Sequence, residues 1–390
     1  MSERGPRGHL LIVSHTEHYL RDGRPVGWGA TVREIDHLAS LFERVVHIAT
    51  LHSGSAPASA LPYRAPNVAL APIPPAGGDG LRAKAGVAAA LPRFARVFLR
   101  ELRRADVVHV RCPANISMAA AVLLAGSRQP RLRWIKYAGN WRPEGREAWS
   151  YTFQRWWLRH GWHRATVTVN GVWPGDPPHV RPFLNPCVTE DELAEGRRVA
   201  AGKSMTAPVR LLFVGRLDSA KGADRSLRIA ALLRERGIDA TIDLVGDSPV
   251  RLEMEQLARK AGLDGRAAFH GWLEREDLGR LYEGAHVVLL PSASEGWPKV
   301  LSEAMAYGAA PVCSDVSGIP QHLARFGCGH ALPWNDVEGM ADAIAGYARS
   351  PERWLEDSRR AVEAARLFSY GEYLRAVRRY VLQEDVETAW

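Results

Sequence analysis

Short apolar runs alternate with helix-like stretches along most of the chain. In the first half, the runs that predict strands are His9–Ser14, Val45–Thr50, Asp106–Val110, Leu132–Tyr137 and Thr166–Val169. In the second half, they are Val209–Gly215, Thr241–Gly246, Ala267–His270, Val287–Pro291 and Ala310–Cys313. Amphipathic segments between them predict helices, among them Thr31–Phe42, Ala88–Arg104, Asp224–Arg236 and Val300–Gly308. Strands that alternate with helices predict parallel sheets covered on both faces, and two such series predict two doubly wound α/β domains.

A segment rich in turn-forming residues separates the two series. Pro174–Pro178 interrupts the periodic pattern, and the stretch that follows is largely polar. We therefore predict a first Rossmann-like domain over residues 1–190, a linker over 191–208 and a second Rossmann-like domain over 209–368. The amphipathic residues 369–390 predict a closing helix.

The composition excludes several classes of protein. With 46% hydrophobic and 24% charged residues among 390, the chain is typical of a folded globular protein, not of a disordered or collagen-like one. The longest apolar run, Met118–Gly126, has half the length of a membrane span. The first residues lack the apolar core of a signal peptide, so we expect a cytosolic protein. The four cysteines form no C-x-x-C pair, which argues against a zinc or dithiol site.

Positive charge is concentrated in the first half. Residues 1–200 carry a net charge of +11 and residues 201–390 a net charge of −3. This distribution leaves open an anionic small substrate, an anionic membrane surface, nucleic acid, or simply a solvated arginine-rich surface. No nucleic-acid-binding motif is present, so we expect no nucleic-acid partner.

Two glycine-containing segments imitate known phosphate-binding motifs. Gly27–Val32 follows the first strand but lacks the third glycine of a dinucleotide fingerprint, so a nicotinamide cofactor is not expected. Two interpretations of Gly27 and Gly29 remain: they contact a phosphate at the start of a helix, or they form a plain turn between a strand and a helix. Gly202-Lys203-Ser204 precedes a strand, whereas a P-loop precedes a helix. No Asp-x-Asp pair occurs, and we therefore predict no metal site.

The most informative chemistry follows two predicted strands of the second domain. After the first of them, Gly215 allows a ligand to approach the backbone, and Arg216 and Lys221 supply two cations that suit a diphosphate. After the strand Val287–Leu290, a helix is predicted to start near Pro298, with Glu295 before it and Glu303 inside it. A carboxylate on a buried helix needs a hydrogen-bonding partner, and sugar hydroxyls are such partners.

The combination of Gly215-Arg216, Lys221-Gly222 and Glu295-x7-Glu303 within EGWPKVLSEAMAYGAAPV resembles glycosyltransferase family 4. The resemblance is strong over Val209–Pro320 and weaker toward both ends. It implies the GT-B fold, in which two Rossmann-like domains face each other across a cleft and the last helix packs back on the first domain. It also implies retaining transfer from a nucleoside-diphosphate sugar to a glycan, glycolipid or small-molecule acceptor, without a cofactor or an obligatory metal.

The resemblance also implies roles for individual residues. Arg216 and Lys221 would hold the donor diphosphate and steady the leaving group, Glu303 would hold the ribose, and Glu295 would face the transferred sugar and act in catalysis. The remaining donor-site candidates are Gly27, Gly29, Gly215, Gly271, Gly296, Lys299, Val300 and Leu301. Two nucleotide-sugar functions of the same fold, epimerisation and hydrolysis, stay as alternatives, as does a non-catalytic sugar-binding subunit.

The sequence departs from the family pattern at two places. Trp297 and Pro298 replace the usual Phe-Gly, which leaves the donor sugar open. The histidine that many relatives carry in the first domain is absent, so Asn140 and Trp141 are the acceptor-side candidates. Seven of the thirteen tryptophans lie within residues 134–173, among arginines. This cluster is compatible with a tryptophan-rich core helix, with sugar stacking, or with contact to a membrane surface that presents a lipid-linked acceptor.

Overall fold

The computed structural model describes residues 7–76, 81–143, 145 and 147–389. The chain divides into two compact units. Unit 1 contains Met1–Phe183 together with Leu374–Thr388, and unit 2 contains Leu184–Tyr373 together with Ala389–Trp390.

Unit 1 is built on a mainly parallel sheet. In its described part, the parallel strands lie in the order β5-β3-β1-β6-β7-β8-β9, and β2 and β4 add an antiparallel extension. The elements are β1 (Arg7–Arg21), β2 (Arg24–Trp28), α1 (Gly29–Ala39), β3 (Phe42–Leu51), β4 (Ala60–Pro62), β5 (Val68–Ile73), α2 (Leu81–Leu102), β6 (Val107–Cys112), α3 (Asn115–Ala125), β7 (Leu132–Tyr137), α4 (Trp149–His160), β8 (Thr166–Val169) and β9 (Val180–Pro182).

Strand β1 is much longer than its apolar run predicts. Its first half pairs with β3 and β6 inside the sheet, and its second half turns back as a hairpin with β2. The turn consists of Asp22 and Gly23, which both have positive φ angles of 52° and 73°. This is the backbone that a two-residue hairpin requires, and Asp-Gly is its usual sequence.

Unit 2 contains a six-stranded parallel sheet in the order β12-β11-β10-β13-β14-β15 within the described residues. Its elements are α5 (Glu190–Ala201), β10 (Val209–Val214), α6 (Ala223–Glu235), β11 (Ala240–Val245), α7 (Arg251–Lys260), β12 (Ala267–Gly271), α8 (Arg275–Gly284), β13 (Val287–Leu290), α9 (Lys299–Ala306), β14 (Ala310–Ser314), α10 (Ile319–Phe326), β15 (His330–Leu332), α11 (Val337–Arg349) and α12 (Pro351–Ala365). The last helix, α13 (Tyr370–Tyr380), begins in unit 2 and continues into unit 1. Strands β13 and β14 are buried along their whole length, as a sheet covered on both faces requires, and the neighbouring β10 exposes Arg210.

Most of the segment that we expected to be a linker is helical. Residues 190–201 form α5, which belongs to unit 2, and the division between the units falls earlier, after Phe183. The physical reason is a capping box: the Thr189 side chain accepts the Glu192 amide N–H, and the Glu192 side chain accepts the Thr189 amide N–H. At the other end of the chain, Leu374–Thr388 belong to unit 1.

Candidate functional site

The candidate donor site lies at the carboxyl edge of the unit 2 sheet. Strand β10 pairs with β11 on one side and with β13 on the other, so the loops that follow β10 and β13 run in opposite directions across the sheet. Such a switch point leaves a crevice, and ligands of doubly wound sheets bind there. The loops after β11 and β12 end at the same edge, where the Gly246 amide donates to the Gly271 carbonyl at 2.8 Å.

The loop after β10 is folded around Asp218. Its carboxylate accepts the Lys221 amide N–H at 2.9 Å, and its carbonyl accepts the Gly222 amide N–H at 3.0 Å. Gly222 has a φ angle of 85°, and a Cβ atom at this position would lie 2.2 Å from the Pro291 carbonyl oxygen. Glycine is therefore needed both for the backbone conformation and for the close approach of this loop to the end of β13.

The two loops bring three of the predicted residues onto one edge. Lys221 Nζ lies 2.6 Å from Glu295 Oε1, and the loops are also joined by a bond of 3.0 Å from the Ala293 amide to the Ala220 carbonyl. Arg216 is paired with Asp218, and 64% of its side chain is exposed. The edge therefore presents a half-buried ammonium–carboxylate pair next to an exposed guanidinium. This arrangement can bind a diphosphate and a sugar hydroxyl side by side.

Glu303 is anchored within unit 2 by two partners. Its two carboxylate oxygens accept hydrogen bonds from Arg275 Nη1 and from the Tyr282 hydroxyl, both at 2.9 Å. Arg275 also binds Glu192, so it joins α9, α8 and α5. Burial disfavours the charge of Arg275, but Glu303 and Glu192 outweigh it and raise its pKa. Burial and the Glu303 carboxylate raise the pKa of Tyr282. Sequence analysis missed this network, because nothing in the spacing relates Arg275 to Glu303.

Helix α9 starts directly after Pro298, as predicted, and one of its first amide groups already has a hydrogen-bond partner. The Leu301 amide N–H is bonded to the Pro298 carbonyl at 3.1 Å, and the Leu301 side chain is fully buried, so this amide is already engaged. Trp297 is buried too: its indole N–H donates to Ser302 Oγ at 2.8 Å, and its ring stacks on Phe368. Trp297, which replaces the usual Phe of the family pattern, thus packs in the core of unit 2.

The glycines predicted as phosphate contacts in unit 1 serve close packing. Gly27 lies in β2, where a Cβ atom would be 2.6 Å from His18 Nε2. Gly29 is the first residue of α1, and a Cβ atom there would be 2.9 Å from the Ser59 carbonyl oxygen. Both residues lie in unit 1, and their role as donor contacts stays a prediction.

The predicted acceptor-side residues follow β7 in unit 1. The Asn140 side chain accepts the Arg142 amide N–H at 3.1 Å and so shapes its own loop. Trp141 is buried, and its indole N–H donates to Asp176 Oδ2 at 2.7 Å. Both lie at the carboxyl edge of the unit 1 sheet, as predicted from the end of the preceding strand.

Unit 1 contains a buried ionic cluster that sequence analysis missed. Glu34 on α1 is bonded at 2.7 Å by Arg111 Nη1 from β6 and at 2.7 Å by Lys136 Nζ from β7. Next to it, the His109 ring stacks on Trp134, and burial together with the charge of Arg111 lowers its pKa well below the usual value. The available signal was Glu34 itself, an acidic residue among apolar positions on the inner face of an amphipathic helix.

Metal-ligating clusters and membrane-spanning helices are both lacking in the part of the chain that the structure describes. Within the described ranges, which omit residues 1–6, 77–80, 144, 146 and 390, no group of three or more His, Cys, Asp or Glu side chains is placed to hold a metal ion. Over the same ranges, no helix is long and apolar enough to cross a membrane.

The two parallel-sheet units define an α/β protein of the GT-B fold. The whole chain superposes with a TM-score of 0.71 on sucrose-phosphate synthase from Thermosynechococcus elongatus, over 97% of this chain and 99% of that chain at 19% identity. Residues 200–368, the greater part of unit 2, match the family of glycosyl transferases group 1. The fold and the family resemblance predicted from the sequence are thus confirmed.

Curated relatives match about half of the chain or less. A D-inositol 3-phosphate glycosyltransferase from Saccharomonospora viridis is 33% identical over 48% of this chain and 46% of its own length. An alpha-D-kanosaminyltransferase from Streptomyces kanamyceticus is 30% identical over 36% of this chain and 37% of its own length. The chain therefore spans about half or less of the curated relatives it matches.

Proposed function

We propose that the protein transfers a sugar from a nucleoside-diphosphate sugar to an acceptor. The observation that carries this proposal is the pairing of Lys221 with Glu295 beside Arg216, at the switch point of a domain that matches a glycosyltransferase family. The two cations would stabilise the negative charge that develops on the departing diphosphate, and this kind of electrostatic stabilisation is commonly the largest part of catalysis. Glu295 would orient the hydroxyl groups of the transferred sugar, and Glu303 would hold the ribose of the donor.

The finer parts of the proposal are retention of the anomeric configuration and independence of metal ions. Two cations at the diphosphate can take the part that a divalent ion plays elsewhere. We therefore expect full activity in excess EDTA. Retention follows separately from the family resemblance, and NMR spectra should show the same anomeric configuration in the product as in the donor. Loss of activity in EDTA that magnesium or manganese restores would contradict the metal-independent part.

The test of the function itself begins with ligand binding. Purified protein is heated with a panel of nucleoside diphosphates and their sugars, because a ligand that binds the folded state at about a hundred times its Kd stabilises it by about 2.7 kcal/mol. The stabilising donor is then incubated with candidate acceptors, and transfer is followed by mass spectrometry. Hydrolysis of the donor without transfer to any acceptor would favour the hydrolase alternative, and binding without turnover would favour a sugar-binding subunit.

We also propose a peripheral contact with a membrane surface through unit 1. Trp149, Trp156 and Trp162 are exposed, at 75%, 45% and 46%, and their rings form a chain of stacked and edge-on contacts with their neighbours. Exposed tryptophans among cationic residues are typical of the water–membrane interface. Co-sedimentation with phosphatidylglycerol vesicles should be weakened by the Trp149→Ala variant, and equal binding of both proteins would contradict this contact.

A further inference from the structure

Arg225 is a buried cation in a place that disfavours positive charge. It lies in the first turn of α6, where the helix dipole opposes a cation, and it is only 7% exposed. Burial lowers the pKa of its guanidinium, and the carboxylate of Asp224, 3.6 Å away, acts in the opposite direction. A buried charge destabilises the fold unless hydrogen bonds compensate for the lost water. The partners of Arg225 therefore indicate what this residue does.

The guanidinium of Arg225 joins the two loops that carry the donor-site residues. Its Nε donates to the Pro291 carbonyl at 2.9 Å, and its Nη2 donates to the Ser219 carbonyl at 2.6 Å. Pro291 directly follows β13 and leads to Glu295, and Ser219 lies two residues before Lys221. Because a guanidinium is a planar fork, it fixes both carbonyls in one geometry. A side chain on a helix points toward the preceding turn, so position 225 is suited to reach both loops.

Other bonds between the loops continue from this guanidinium toward the charged pair. Ser292 Oγ donates to the Lys221 carbonyl at 3.1 Å, and the Ala293 amide donates to the Ala220 carbonyl at 3.0 Å. Beyond them, Lys221 Nζ lies 2.6 Å from Glu295 Oε1. The separation of the two loops thus determines whether the ammonium and the carboxylate meet.

Trp334 covers the outer side of the guanidinium. The Arg225 Cζ atom lies 4.8 Å from the centre of the Trp334 ring, within the range of a cation–π contact. Trp334 follows β15 and is itself 41% exposed, so its ring separates the guanidinium from water. Hydrogen bonds are stronger where water is excluded, and the ring therefore strengthens the two bonds that Arg225 donates.

We propose that Arg225 is a positioning residue for donor binding. It holds the β10 and β13 loops at the separation at which Lys221 meets Glu295, and it acts through Lys221 without touching the donor. The word donor rests on the proposed function, whereas the holding of the loops does not depend on it. The experiment therefore has one arm without a ligand and one with a ligand.

The first arm measures hydrogen exchange by mass spectrometry on the free protein. In Arg225→Gln, peptides that contain the amides of Lys221, Gly222 and Ala293 should exchange about tenfold faster or more, since bonds to a charged group are lost and the loops open locally. The amides of strand β11 should keep their protection. Arg228→Gln, which changes an exposed arginine of the same helix, is the matched control. Unchanged exchange of the loop peptides in Arg225→Gln would overturn the proposal.

The second arm measures the coupling of Arg225 to Lys221 by calorimetry with uridine, guanosine, adenosine and thymidine diphosphates. Arg225→Gln should weaken the bound nucleotide about tenfold or more, but should have little further effect when Lys221 is already alanine, because residues that act as a unit are not additive. In the transfer reaction, KM for the donor should rise while KM for the acceptor stays unchanged. Equal losses of affinity with and without Lys221 would mean that Arg225 only stabilises the fold, and the proposal would be wrong.

A second variant keeps the test decisive if Arg225→Gln does not fold. Trp334→Ala leaves the bonds of Arg225 in place but admits water to its guanidinium, so it should speed loop exchange and lower nucleotide affinity by a smaller factor, again only when Lys221 is present. Trp162→Ala, which removes a similarly exposed tryptophan of unit 1, is its control. If Trp334→Ala behaves as Trp162→Ala does, the proposal fails. If no nucleoside diphosphate binds the original protein, the proposed function fails, and the exchange of the loop amides still decides whether Arg225 holds the loops.

Discussion

The carboxyl edges of the two parallel sheets both contain ion pairs between cations and carboxylates, but the pairs differ in how deeply they are buried. In the β10 and β13 loops of unit 2, the charged groups are partly exposed, and Lys221 pairs with Glu295 across the two loops. In unit 1, the corresponding edge contains a carboxylate that is almost fully buried, Glu34, held by Arg111 and Lys136 from two strands. Exposed pairs are easily rearranged by a ligand, whereas a buried cluster is fixed by its surroundings.

The difference is one physical reason why the matched family model covers residues of unit 2 and none of unit 1. A nucleotide presents the same diphosphate and ribose to every enzyme that uses it, so the loops that bind it keep a recognisable spacing. The matched family covers residues 200–368 only. The charged residues at the edge of unit 1 come from α1, β6 and β7, far apart in the chain. Four predictions test this division, from the largest expected effect to the smallest.

Glu34 should be the most important charged residue for stability. The Glu34→Gln variant leaves the buried ammonium of Lys136 and the guanidinium of Arg111 without this carboxylate, and removing one partner of a buried pair costs about 3–5 kcal/mol. Urea unfolding measures the change. Glu195→Gln, which removes an exposed ion pair with Arg198 in unit 2, is the control and should leave the unfolding free energy almost unchanged. Similar losses of unfolding free energy in both variants would show that burial does not determine how much an ion pair contributes to stability.

Arg216 and Lys221 should be the most important cations for turnover. Removing one group that stabilises the charge of a leaving group costs about a hundredfold or more in kcat, so Arg216→Ala and Lys221→Ala should each nearly abolish transfer. Circular dichroism and the melting temperature should stay close to those of the original protein, because both side chains lie in a loop. Arg198→Ala, in the same unit but on α5, is the control. Turnover near the original value in both loop variants would refute the assignment.

The sequence predicts unit 2 better than unit 1 for reasons that particular residues make clear. Strands β10 to β14 of unit 2 are short runs rich in apolar residues, each followed by a helix, and their bounds lie within one residue of the predicted runs. In unit 1, the apolar run of β1 stops at Ser14 while the strand continues to Arg21, because its second half is held by the hairpin partner β2. The Asp22-Gly23 signal for this hairpin is present in the sequence.

In the candidate site, too, the sequence predicts some residues and misses the partners of others. The cations and Glu295 were found from the sequence because they follow strand ends, and the topology brings strand ends together. The partners of Glu303 were not found, because Arg275 and Tyr282 lie on α8 and their contact depends on how two helices pack. Local spacing fixes which edge a residue lies on, whereas packing between distant elements fixes its partners.

Glu303 and Glu295 should differ in what they bind. Glu303→Ala should weaken the affinity for a bare nucleoside diphosphate, whereas Glu295→Ala should leave it nearly unchanged and lower turnover. A lost hydrogen bond to a charged group is worth about 1.5–3 kcal/mol, which calorimetry resolves. Because Glu303 also braces α8, the matched variant is Tyr282→Phe, which removes one bond to Glu303 and leaves the carboxylate. If Tyr282→Phe weakens nucleotide binding as strongly as Glu303→Ala, Glu303 acts by bracing the helix.

The smallest expected effect concerns pH and returns to unit 1. Burial and Arg111 hold the pKa of His109 well below its ordinary value, so the folded protein keeps this ring neutral in mild acid, whereas the unfolded chain takes up a proton below about pH 6.5. The unfolded state then binds more protons, so this histidine lowers stability as the pH falls below about 6.5 and has no such effect above it.

The His109→Phe variant should keep the stacking on Trp134 and remove this proton uptake. At about pH 5, the unfolded-state proton is worth about 2 kcal/mol, so the loss of unfolding free energy between about pH 7.5 and 5 should shrink by roughly that amount. His18 and His47, buried in the same unit with lowered pKa values, keep most of the acid sensitivity. Urea unfolding at the two pH values measures the change. An unchanged pH dependence would mean that His109 takes up its proton in the folded protein too. The buried edge of unit 1 could then rearrange around a new charge, as we expect of the exposed edge of unit 2.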